Sequence, residues 1–89
     1  MSNHTHRTSK KQAFILNFLK TATVPTRVSD LLTLPETAKL LGEGVTLRWL
    51  QYHARFYKTF PHLFLSRRSY LSMKVIQSLI VALDAEGIK

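Results

Sequence analysis

The stretch Leu32-Thr33-Leu34-Pro35-Glu36-Thr37-Ala38-Lys39-Leu40-Leu41-Gly42 carries the best helix-start signal in the chain. Thr33 and Glu36 have capping-box spacing. The Thr33 hydroxyl can accept from the Glu36 amide, while the Glu36 carboxylate reaches back to the Thr33 amide. Pro35 fits the first turn, where its missing N–H would be unpaired anyway. The spacing predicts a helix through Ala38, Leu40 and Leu41 that stops at Gly42-Glu43-Gly44, with glycine available for a left-handed cap.

A second helix is predicted at about Val45 to Tyr57. At about 100° per residue, Val45, Trp49, Tyr52 and Phe56 share one apolar face, and Leu47, Leu50, Ala54 and Tyr57 fall nearly opposite. Arg48, Gln51 and Arg55 form a polar stripe between them, with Thr46 and His53 on the other flank. Such a helix is expected to be clamped on two sides and to show solvent one narrow strip, cationic and planar-polar.

Thr59-Phe60-Pro61-His62 reads as a turn or loop. Leu63-Phe64-Leu65 and Tyr70-Leu71 flank Ser66-Arg67-Arg68-Ser69, the pattern of a short hairpin with a basic tip. The tip lacks glycine, so the turn type stays open. Ser72 can cap a last helix, with Val75, Ile76, Leu79, Ile80 and Leu83 on one stripe and Lys74, Gln77 and Ser78 opposite. Asp84-Ala85-Glu86-Gly87 ends it. Upstream, Phe14, Ile15, Phe18 and Leu19 follow helical spacing from Lys10 to about Ala22, and Val24-Pro25-Thr26 closes that segment. The expected organisation is a flexible basic arm at 1–9, an N-terminal helix and linker at 10–30, and the main domain at 31–86.

Charge points to the partner class. The 89 residues hold 13 Lys and Arg against 5 Asp and Glu, a formal charge of +8. No acid precedes Asp30 or lies between Glu43 and Asp84, which makes a polyanion the leading partner through phosphate neutralisation. Cysteine is absent, excluding disulfides, thiolate zinc sites and cysteine nucleophiles. No run is apolar enough to span a bilayer, and Met1-Ser2-Asn3-His4-Thr5-His6-Arg7 lacks the apolar region of a signal peptide. The expectation is a soluble cytoplasmic, nucleoid-associated chain with no membrane partner.

The order of helix, tight turn, helix, basic hairpin and packing helix over residues 32–83 resembles the winged helix-turn-helix of the excisionase and MerR-like families. The stretch Leu32–Gly42 matches their opening of leucine and threonine, then Glu-x-Ala, then Leu-Gly. Thr46-Leu47-Arg48-Trp49 and Leu65-Ser66-Arg67-Arg68-Ser69-Tyr70 follow it. Where those families carry Val-Ser at the turn, this chain has Glu43-Gly44. The resemblance implies a mainly α fold with a small β-hairpin and an added N-terminal helix.

It also implies a mechanism. The second helix would enter the major groove of duplex DNA with Arg48, Gln51 and Arg55 forward, arginine pairing with guanine and glutamine with adenine. Thr46 and Tyr52 would touch phosphate, Arg67 and Arg68 would meet the backbone or an adjacent minor groove, and Lys58 and Lys74 would position without specifying. Trp49, Tyr57, Phe60 and Phe64 are expected to be packing residues.

The function implied is that of a recombination directionality factor, an excisionase that bends attachment-site DNA for an integrase. Self-association along DNA would then be supplied by the N-terminal helix or the tail after Ala82. A small transcription regulator of a phage or mobile element is the alternative, and a basic helical adaptor for an acidic protein is a third reading. Catalysis is not expected. His4, His6, His53 and His62 lack metal spacing, the five carboxylates sit near helix ends, and no phosphate-binding glycine loop is present. No cofactor or metal is expected.

Overall fold

Thr33 performs two structural tasks at once. It closes β1 (Leu31–Thr33) and caps α2 (Leu34–Leu41), its hydroxyl accepting from the Glu36 amide at 3.3 Å while its own amide donates to the Glu36 carboxylate at 3.0 Å. The expected capping box is therefore formed, and α2 ends on Gly42, whose φ of +78° favours glycine. The computed structural model describes residues 8–88, so the expected arm at 1–9 falls outside it except for Thr8 and Ser9. Ser9 is no part of a free arm. It forms a second capping box with Gln12 and starts α1 (Lys10–Leu19), which stops three residues short of Ala22.

Among the described residues, four α-helices pack with a three-stranded antiparallel sheet. The hairpin consists of β2 (Leu63–Leu65) and β3 (Arg68–Ser72), and β1 joins the other edge of β3 to give the order β1-β3-β2. Leu32 pairs with Leu71 and Thr33 with Tyr70, while Phe64 pairs with Ser69. The fold is thus mixed α/β, with one strand more than the hairpin expected from sequence.

The second helix departs most from expectation. Only α3 (Leu47–Gln51) is α-helical, with Thr46 as its cap; Tyr52–Phe56 continues as a wider π-helical turn closed by the Tyr57 amide on the Tyr52 carbonyl at 2.7 Å. One side of this segment is buried, through Leu50 and Ala54, with Trp49 and His53 partly buried beside them. Leu47, Tyr52, Phe56 and Tyr57 are exposed, so the segment is not clamped on two apolar faces. A wheel at constant pitch puts Tyr52 and Phe56 with Val45 and Trp49 and sets Tyr57 nearly opposite, but the wider turn at 52–56 leaves all three rings exposed.

The final helix α4 (Met73–Ala85) buries Ile76, Leu79 and Leu83 and leaves Lys74, Gln77 and Ser78 exposed, as its spacing predicts. Ser72 caps it by accepting from the Val75 amide at 3.3 Å. Ile15 and Leu19 of α1 lie in the same buried cluster as Leu32, Leu41, Leu50, Phe60, Leu71 and Ile76. Residues 10–19 therefore share the core of residues 31–86.

Candidate nucleic-acid interface

The hairpin turn is built against ordinary backbone preference. Ser66 and Arg67 both have positive φ, 49° and 65°, the pattern of a type I′ turn, whose twist suits a two-residue hairpin. Asn-Gly is the usual occupant. Each left-handed non-glycine residue costs about 1–2 kcal/mol, yet the tip carries an arginine. Arg68 is not at the tip but opens β3 opposite Leu65.

Beside this hairpin lies a cleft of about 330 Å³. Thr33, Leu34 and Pro35 at the start of α2 form one wall. Leu47, Gln51 and Arg55 form the second, and Arg67, Arg68 and Ser69 the third. Three guanidiniums and a carboxamide thus face one space whose lining contains no carboxylate. The nearby Glu36 carboxylate is held by the Thr33 amide and hydroxyl, which also keep its pKa below the ordinary value. Arg55 bridges the walls, its guanidinium carbon 4.7 Å from the centroid of the Phe64 ring on the hairpin. A cation over an aromatic face gains electrostatically from the ring quadrupole. Phe64 is half exposed, a ledge for Arg55 rather than the packing residue expected.

Ser69 adds a donor that sequence reading missed. It is buried, it lines the cleft, and its hydroxyl has no hydrogen-bond partner among the described residues. A buried hydroxyl is normally paired. Its position opposite Phe64 in the register follows from strand pairing, which composition does not reveal.

The remaining predicted residues lie elsewhere. Arg48 and Tyr52 are exposed on α3 and the turn that continues it, outside the cleft. Thr46 caps α3, its hydroxyl accepting from the Trp49 amide at 3.1 Å. Lys58, left-handed at φ 53°, borders a separate depression with Lys20, Phe60 and His62. Lys74 sits by Arg27 and Asp30 on another face. There the Asp30 carboxylate accepts from the Ser72 hydroxyl at 2.6 Å and the Lys74 amide at 3.0 Å, and these bonds, the hydroxyl first, lower its pKa. Phe60 is buried and Trp49 packs partly on the core, as expected, whereas Tyr57 is exposed.

Among the described residues, no helix is long and apolar enough to cross a membrane. Comparison with protein-family models, with curated proteins and with solved structures gave no significant match.

Proposed function

We propose that this chain is a sequence-specific duplex-DNA-binding protein of winged helix-turn-helix type, used as an excisionase. The observation that carries the reading is the cleft itself. Gln51 and Arg55 come from one stretch and Arg67 and Arg68 from another, yet all four line one space free of carboxylates.

On this reading α3 enters the major groove and the hairpin lies against the flanking backbone. Arg55 donates two bonds to guanine O6 and N7, and Gln51 pairs with adenine N6 and N7. Arg67, projected by its strained turn, enters a neighbouring minor groove, while Arg68 and Arg48 neutralise phosphates. Ser69 gives its hydroxyl to a phosphate oxygen at the floor of the cleft. The excisionase output is supported by the resemblance of Leu32–Gly42 to that family.

Footprinting of the purified protein on DNA flanking its own gene tests the proposal. Clustered direct repeats beside an integrase attachment site are expected. A single palindromic promoter site would replace the excisionase by a regulator, and no protected DNA would overturn the reading.

A further inference from the structure

Phe56 is 72% exposed, Tyr57 56% and Tyr52 46%. The rings contact one another, with centroids 6.1 Å apart for Tyr52 and Phe56, 6.0 Å for Tyr52 and Tyr57 and 5.3 Å for Phe56 and Tyr57. The core does not require them, because the buried side of this segment is Leu50 and Ala54. They sit on the π-helical turn at 52–56, a rare geometry that recurs at functional sites. Along this segment Tyr52 directly follows Gln51 and Phe56 directly follows Arg55, the two residues that line the cleft from this side.

Charge selects what covers them. A second copy meeting this face with its own same face would set Arg48, Arg55 and Lys58 against their own kind, on a chain of formal charge +8 with no acid between Glu43 and Asp84. The occupant has to be anionic and must also offer apolar groups at its surface. Duplex DNA meets both conditions, since each thymine presents a C5-methyl group in the major groove that apolar side chains contact. We propose that Tyr52 and Phe56 form the apolar half of the recognition surface and read thymine methyl groups beside the bases read by Gln51 and Arg55. This rests on the duplex-binding reading above and adds thymine to the guanine and adenine it assigns to Arg55 and Gln51. It also replaces the phosphate role expected for Tyr52.

Binding of the full chain to short duplexes of alternating dA and dT, and of alternating dA and dU, isolates the methyl group. Alternating dG and dC duplexes with and without 5-methylcytosine repeat the comparison in another sequence context. The methylated member of each pair is expected to bind about four- to tenfold tighter, about fourfold being the value of one buried methyl. Replacing both rings (Tyr52→Ala, Phe56→Ala) is expected to bring that ratio to about one. Equal binding of both members by the unaltered chain overturns this inference alone, whereas no binding to any duplex overturns the duplex-binding reading with it. A double variant that keeps the methyl preference also overturns it. So does a sedimentation result in which the same substitutions turn a dimer into a monomer, which assigns the rings to a second copy.

Discussion

Lys11 donates from its ammonium group to the carbonyl oxygen of Leu41 across 2.6 Å, linking positions 30 apart in the chain. A second bond reaches the Glu43 carbonyl at 2.8 Å, and the Gln12 carboxamide donates to Gly44 at 2.8 Å. Helix α1 thereby satisfies the last carbonyl of α2 and two carbonyls of the turn beyond it, and places a cation where the helix dipole favours one. The turn between α2 and α3 is held from outside, by an element that the expected organisation left beyond the main domain.

Replacing that ammonium should loosen the turn. Lys11→Met keeps the apolar stem and is expected to lower stability by about 1–2 kcal/mol. Amide exchange should accelerate at Val45, whose N–H donates to Gly42. Urea unfolding and hydrogen exchange measure the two effects; unchanged exchange at Val45 would show that the turn holds itself.

The hairpin tip separates stability from binding. Arg67→Gly relieves a left-handed arginine and is expected to raise stability by about 1 kcal/mol. It should weaken duplex binding, because the guanidinium is lost. Strain kept at a functional position is a recurring pattern. Thermal melting and a binding titration on the same variant give both readouts. A fall in stability would mean that the side chain, not the backbone, holds the tip.

What was legible in the sequence was local. The Thr33 and Glu36 pairing, the Ser72 cap and the apolar stripe of α4 depend on neighbours three or four residues away, and each is formed. The non-local features were hidden. Strand β1 has three residues and exists because Leu32 meets Leu71. Lys11 and Ser69 acquire their roles from contacts across the fold. The π-helical turn at 52–56 breaks the constant pitch that any wheel assumes. Gln51, Arg55, Arg67 and Arg68, four of the nine residues lining the cleft, were readable as chemistry, though not their meeting with Thr33 and Leu47.

The altered face assignment has a direct consequence. Leu50 is fully buried and Phe56 mostly exposed, so Leu50→Ala is expected to cost about 2–5 kcal/mol. Phe56→Ala should cost less than about 0.5 kcal/mol. Chemical denaturation of the two variants distinguishes this arrangement from a helix buried on both sides, for which both losses would be large.

Acid should destabilise the fold through two capping carboxylates. Hydrogen bonds hold the pKa values of Asp30 and Glu36 below their ordinary level. A depressed native pKa stabilises above the unfolded value, about 4 for carboxylates. That contribution is lost as pH falls through this value toward the depressed one. Stability measured from pH 6 downward should therefore decline from about pH 5, and Asp30→Asn with Glu36→Gln should flatten the decline. An acid limb identical in the double variant would contradict these roles.

Salt dependence of duplex binding reaches the central claim most directly. Each neutralised phosphate contributes about −0.9 to the slope of log K against log salt. Binding is expected to weaken steeply with salt, and Arg67→Ala with Arg68→Ala should make the slope shallower by about one, the share of the Arg68 phosphate contact. A slope unchanged by the double substitution, or binding insensitive to salt, would contradict the account.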